Sequence, residues 1–177
     1  AQLNPELATI VLDEIGKTDI FTGVKKMDFE QAIDQGMIVM IGDEVEEAYL
    51  DEVQKQCVNP ELAKEKGDTL KFVYTPFHGA GNKPVRKILK RIGFNNVVVV
   101  KEQELPDGDF PTVESPNPEN KEGFKLAIGY AKECGADLIV GTDPDSDRVG
   151  ILVKNDKGEY VTFTGNQVGT LLSEYIL

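Results

Sequence analysis

Residues 141–150 read GTDPDSDRVG, and this stretch decides how the rest of the chain is read. Asp143, Asp145 and Asp147 stand at every second position. The apolar run Leu138-Ile139-Val140 precedes them, and residues 149–153 supply another. The pattern predicts strand, acidic loop, strand, with three hard oxygen ligands on a short turn at a sheet edge. Pro144 and Ser146 favour a turn over a continuing strand. Carboxylates this close repel one another, and a divalent cation relieves the repulsion. An all-oxygen donor set suits Mg2+ or Ca2+. Arg148, directly after the three aspartates, adds a fixed positive charge of the kind a phosphate-handling site uses.

Three other readings of the loop meet the sequence differently. A calcium EF-hand needs Gly at loop position six and Glu at position twelve. Counted from Asp143, those positions hold Arg148 and Lys154, and the flanks read as strands. A phosphatase of the haloacid-dehalogenase type also begins with D-x-D after an apolar strand. It then wants Thr or Val where this chain has Asp147, and it needs motifs far downstream where only 34 residues follow Asp143. The third reading is a solvated acidic turn, the ordinary fate of a charge run. Three aspartates alternating between two strands speak against it.

Working outward, the chain alternates in the α/β manner. Residues 70–74 read as a strand, and 84–92 as a helix closed by Gly93. Residues 96–100 read as a buried strand. A helix is expected over 119–134, with Asn117 capping it, Pro118 in its first turn and Glu119 favouring the helix dipole. Strands follow at 136–141 and 149–153, then a turn at Lys157-Gly158 into a strand at 160–163. This predicts a small mixed sheet in a three-layer α/β/α arrangement, with three parallel-type strands and then an antiparallel edge. The acidic loop falls at the carboxyl end of the third strand, where open α/β sheets place their ligands.

N-terminal to this, Asn4 and Pro5 open a helix carrying Leu7, Ile10, Val11 and Ile15. A short helix at 29–35 and an apolar strand at 37–41 are expected next. Asp43 with Glu46 reads as a capping-box-like start, and Val45, Ala48, Tyr49 and Val53 fall on one helical face. The basic residues Lys83, Arg86, Lys87, Lys90 and Arg91 share one helix and read as a solvated face.

Composition narrows the partners. The net charge of −12 argues against nucleic acid. The charge is uneven: residues 1–68 hold 16 acidic and 6 basic side chains, the other 109 hold 15 and 13. Cys57 and Cys134 lie in no C-x-x-C pair, which fits a reducing, cytoplasmic setting. No apolar run approaches the roughly 20 residues of a membrane helix.

GTDPDSDRVG resembles the metal-binding loop of the alpha-D-phosphohexomutases, the phosphoglucomutase and phosphomannomutase superfamily. Three more segments fit the second domain of that four-domain fold: TPFHGAG at 75–81, PDGDFPTVESPNPEN at 106–120, and TGNQVGTLL at 164–172. The resemblance covers residues 70–172 closely and the N-terminal part loosely, with a lean to the larger phosphoglucomutase-like members. It implies that residues 1–42 are the tail of domain I, 43–162 the metal-binding domain II, and 163–177 the start of domain III. It implies that Asp143, Asp145 and Asp147 hold Mg2+, that Arg148 orients the loop or a phosphate, and that His78 supports the catalytic cleft. The long segment 101–118, stiffened by Pro106, Pro111, Pro116 and Pro118, would form a wall beside that cleft.

The family's T-x-S-H-N-P phosphoserine loop and G-E-x-S-G sugar loop are not in this chain. Ser115-Pro116-Asn117-Pro118 imitates the first but lacks its histidine. The resemblance therefore implies an excised piece, inactive alone, that meets a hexose phosphate and a phosphoserine loop from absent domains. Glucose 1,6-bisphosphate would be the intermediate and activator of the full-length enzyme. Two further readings stay open: a stand-alone Mg2+-dependent phosphatase or phosphotransferase, and a non-catalytic metal-binding module.

Overall fold

A computed structural model describes residues 3–177. The chain divides into two units, Ala1–Gly42 and Asp43–Leu177. In the first, α1 (Pro5–Gly16) starts as expected: Asn4 Oδ1 accepts the Leu7 N–H at 2.9 Å and Pro5 takes the first turn. In α2 (Phe29–Asp34), Asp28 Oδ1 accepts the Gln31 N–H at 3.1 Å, and Ala32 is the buried residue. The strand expected at 37–41 is absent. A strand needs a ladder partner, and these residues pair with no strand among the described ones; the Met37 and Ile38 N–H groups donate to the Ala32 carbonyl, and Met37, Val39, Met40 and Ile41 stand exposed.

The second unit opens with α3 (Asp43–Gln54) and α4 (Pro60–Gly67), the latter not foreseen although Asn59-Pro60 is a fair helix start. Then come β1 (Phe72–Thr75), α5 (Asn82–Arg91), β2 (Val97–Val99) and a 3₁₀ turn at Lys101–Gln103. A second 3₁₀ turn at Lys121–Phe124 runs into α6 (Lys125–Cys134). β3 (Leu138–Thr142), β4 (Val149–Lys154), β5 (Tyr160–Phe163) and α7 (Gly165–Ile176) complete it. The strands form one mixed sheet of order β2-β1-β3-β4-β5. β1 is parallel to β2 and β3, and β3-β4-β5 is an antiparallel meander, as the alternation predicts. The acidic loop therefore leaves the end of the central strand, not the lateral edge of the sheet.

The core gathers Val73, Phe77, Val100, Phe124, Ala127, Ala131, Ala136, Ile139, Leu152 and Tyr160. Small alanines on α6 let this helix lie close to β1 and β3. Phe124 meets Phe77 edge to face, centroids 5.1 Å apart.

Three local expectations are corrected. The helix expected from residue 119 begins as a 3₁₀ turn and becomes α-helical only at Lys125. Asn117 Oδ1 accepts the Glu119 N–H two residues on, at 3.0 Å, making an Asx turn instead of a cap. The Gly123 carbonyl, in that first turn, accepts Gln103 Nε2 at 3.3 Å. Residues 96–100 give a half-buried edge strand, with only Val100 fully buried.

On α3 the expected face is displaced. Leu50 is the buried residue, while Val45, Ala48 and Tyr49 are exposed. Asp43 is itself the first helical residue, and Glu46 does not close a capping box; it pairs with Lys87. Arg91 likewise pairs with Glu47 and Asp51, and Arg86 with Glu104. Three of the five basic residues on α5 are thus paired, two of them with acidic α3, while Lys83, Arg86 and Lys90 stay exposed as expected. Ion pairing turns α3 so that its acidic stripe faces α5.

Candidate metal centre

β3 and β4 stay in register up to Thr142 and Val149, so residues 143–148 form the hairpin connection. Asp143, at 8% exposure, is its internal brace. Its Oδ1 accepts the Arg148 N–H at 2.9 Å and its carbonyl accepts the Ser146 N–H at 3.0 Å. Ser146 takes a left-handed φ of 62°, which folds the loop back on itself. Asp143, Asp145 and Asp147 then each offer one oxygen, all within 4.8 Å of one another.

The cost of that convergence shows on Asp147. Its carboxyl is raised from its ordinary value, first by its hydrogen bond to Asp143 and next by the charges of Asp145 and Asp143. Arg148 works in the opposite sense. Its Nε lies 3.8 Å from Asp143 Oδ2 and 3.7 Å from Asp147 Oδ1, shared between two of the three carboxylates. A donor set made only of oxygens, mutually repelling and open on one side, fits a hard divalent cation. Beside the hairpin lies a pocket of about 640 Å³ lined by Lys121, Arg148, Thr162, Thr164 and Asn166.

The hairpin rests on the turn that follows β1. Ala80 N–H donates to the Pro144 carbonyl at 2.8 Å. Gly79 is pressed against the Pro144 backbone so closely that no Cβ fits. At Gly81 a Cβ would meet Tyr74 Oη and Ser146 Oγ at 2.6 Å and Thr142 Oγ1 at 2.7 Å. Tyr74 Oη and Thr142 Oγ1 are themselves 2.8 Å apart and buried. Burial pushes the Tyr74 phenol up to about 12, with Thr142 and Arg86 opposing, so the hydroxyl keeps its proton.

The two loops that sequence places at one end of the sheet do meet there, and His78 is buried. It is 6% exposed. Its Nδ1 lies 3.1 Å from the Leu105 carbonyl and its Nε2 2.9 Å from Thr112 Oγ1. Both ring nitrogens are engaged by the proline-rich segment, and the ring edge meets Phe110. His78 is a fastening between two loops rather than an open acid or base or a surface residue. Segment 101–118 accordingly packs on that turn, with Pro118 at its end lining the pocket beside Arg148.

Tyr74, Thr142, Thr75 and Gln103 escaped the sequence reading. Each is a common residue in or beside a strand, and only the topology shows what its polar group meets.

An acidic hairpin at the carboxyl end of a central parallel strand, next to a glycine-bearing turn, defines an open α/β domain with a candidate cation site at its strand ends. Residues 47–158 match the family described as Phosphoglucomutase/phosphomannomutase, alpha/beta/alpha domain II, and the chain belongs to that family. It is 40% identical over 138 residues to a "Probable phosphomannomutase" of Haemophilus influenzae, covering 78% of this chain and 27% of that one. It is 34% identical over 171 residues to a phosphoglucomutase of Staphylococcus saprophyticus, covering 97% and 30%. A phosphoribomutase of Saccharomyces cerevisiae is 38% identical over 152 residues, covering 82% and 24%. A solved structure of a putative phosphomannomutase from Thermus thermophilus superposes with a TM-score of 0.57 at 25% identity, covering 74% of this chain and 28% of that one. The chain thus spans between about a quarter and a third of these relatives' own lengths. Among the described residues, no helix is long and apolar enough to cross a membrane.

Proposed function

We propose that this chain is the metal-binding part of a cytoplasmic phosphosugar mutase. The reaction moves a phosphoryl group between the C1 and C6 hydroxyls of a hexose phosphate, by way of a phosphoserine and a hexose bisphosphate. Asp143, Asp145 and Asp147 would hold Mg2+. When bound, the ion supplies charge neutralisation at the phosphoryl group being transferred. Residues 1–42 and 163–177 would belong to the neighbouring domains, which bring the phosphoserine and the sugar contacts.

The chain's own residues do the following. Asp143 holds the hairpin closed through the Arg148 N–H, so Asp145 and Asp147 are aimed before any ligand arrives. Arg148 carries a permanent positive charge to the pocket wall, with Lys121 on the same wall, where a phosphate oxygen can accept from them. Pro118 and the stiff segment before it shape that wall. His78 is a positioning residue, acting through Leu105 and Thr112 on the turn below the hairpin.

The observation that carries this reading is the convergence of three carboxylate oxygens within 4.8 Å in a chain whose residues 47–158 match the mutase domain. The test is a Mn2+ titration of the chain followed by electron paramagnetic resonance. Saturable binding is expected, with Asp145→Ala abolishing it; a wild-type chain that takes up no Mn2+ sinks the metal assignment. In parallel, the chain alone should not convert glucose 1-phosphate to glucose 6-phosphate. Turnover by the chain alone would favour a self-sufficient phosphotransferase instead.

A further inference from the structure

Behind the turn that carries the acidic hairpin lies a buried polar network centred on Gln103, which has no exposed surface. Its Oε1 accepts the Thr75 hydroxyl at 2.7 Å. Its Nε2 donates to Thr112 Oγ1 at 3.1 Å and to the Gly123 carbonyl at 3.3 Å. Its backbone carbonyl accepts the His78 N–H at 2.9 Å. Thr75 Oγ1 in turn accepts the Phe77 N–H at 3.2 Å.

With a neutral imidazole at His78, the protons have one consistent arrangement. The Gly123 carbonyl only accepts, so the amide nitrogen must face it and Oε1 must face Thr75. The Thr75 proton then goes to Oε1, leaving a lone pair for the Phe77 N–H. The Leu105 carbonyl also only accepts, so His78 Nδ1 carries a proton there. His78 Nε2 is left to take the Thr112 hydroxyl proton. An apolar or acidic side chain at 103 cannot keep these bonds.

The turn they hold is strained. Phe77 and His78 are consecutive non-glycine residues at φ of 45° and 62°. Such residues cost on the order of 1 kcal/mol each and persist only where the surroundings fix them. The Phe77 N–H is fixed by Thr75 and the His78 N–H by Gln103. The strained pair delivers Gly79 and Ala80 against Pro144, inside the acidic hairpin.

We propose that Gln103 is a positioning residue for this hairpin, acting through Thr75, Thr112 and the turn at 76–81. Its effect on cation affinity rests on the reading of Asp143, Asp145 and Asp147 as ligands. Gln103 sets the strained turn, the turn sets Pro144, and Pro144 sets the spacing of the aspartates on either side of it.

The test compares Gln103→Met, which keeps the volume and removes the three side-chain bonds while leaving the backbone carbonyl to the His78 N–H, with Thr75→Val and the conservative Thr75→Ser. Amide hydrogen exchange of the metal-free chain is read at Ala80 and Ser146, against Ile139 and Leu152 in the sheet. Gln103→Met and Thr75→Val should speed exchange at Ala80 and Ser146 roughly ten-fold, as the loss of one buried hydrogen bond does, and leave the sheet amides unchanged. Thr75→Ser should restore wild-type exchange. Mn2+ affinity at a temperature where all variants are folded should fall roughly ten-fold in the first two and recover in the third. Unchanged exchange at Ala80 and Ser146, or unchanged Mn2+ affinity beside a binding wild type, overturns the positioning role. A wild-type chain that binds no Mn2+ overturns the ligand assignment alone, and the exchange result still judges the network. If Gln103→Met does not fold, the Thr75 pair decides.

Discussion

Two loops leave the same end of the sheet on opposite plans. The turn at 76–81 is buried except at Ala80, and its histidine has a partner for each ring nitrogen. The hairpin at 143–148 exposes Asp145 and Asp147 and sets like charges together. The first holds backbone strain where neighbours absorb it. The second keeps electrostatic repulsion facing solvent, where a ligand can relieve it. The contrast shows a division of labour: one loop is a foundation, and the other is a face held ready by that foundation.

Three substitutions break or sharpen the contrast. The largest effect belongs to Phe124→Ala, which empties the space beside Phe77 under both loops. A loss of about 3–5 kcal/mol in urea unfolding is expected, as for other buried phenylalanines. A loss under about 1 kcal/mol would mean the foundation does not depend on this contact. Tyr74→Phe comes next. It leaves the buried Thr142 hydroxyl without its partner, at a cost of about 1–2 kcal/mol by the same measurement. A neutral result would show that Thr142 finds another acceptor.

Asp147→Asn has the smallest effect and the opposite sign. Asp143 and Asp145 raise the Asp147 carboxyl in the folded chain. An acid whose folded value is raised loses stability as pH climbs through that value, so the ionised form is a liability at neutral pH. The amide removes it. In chelator at pH 7 the variant should melt slightly above wild type, and well below the carboxylate range the difference should vanish. Its Mn2+ affinity should drop. A lower melting point at pH 7 would mean that Arg148 outweighs the neighbouring carboxylates.

Much of the fold and site is legible in the sequence because it is written locally. Two apolar runs flanking the acidic loop, at 138–140 and 149–153, mark the β3-β4 hairpin, and Lys157-Gly158 marks the turn into β5. The aspartates at every second position carry the cation-binding hypothesis. What fails depends on partners distant in the chain. Residues 37–41 are apolar enough for a strand, but apolarity cannot supply a ladder neighbour. The face of α3 is misjudged because α5, some forty residues away, captures Glu46, Glu47 and Asp51. The resemblance assigns His78 a supporting role at the cleft, and its glycine neighbours in sequence do not show what its ring meets. Its neighbours in space, Leu105 and Thr112, lie 27 and 34 residues on. Gln103 gives no signal, since a lone glutamine between charged residues looks like surface.

The same distances govern the order in which the chain can fold. Thr75 waits for Gln103, 28 residues later, and Tyr74 waits for Thr142, 68 residues later. Closing such separations is slow relative to helix formation, and each closure costs chain entropy before its bond returns anything. The strained turn therefore cannot be an early structure. It locks once β2 and the proline-rich segment have docked, and the hairpin it supports is aimed later still, so cation affinity would be among the last properties a refolding chain regains.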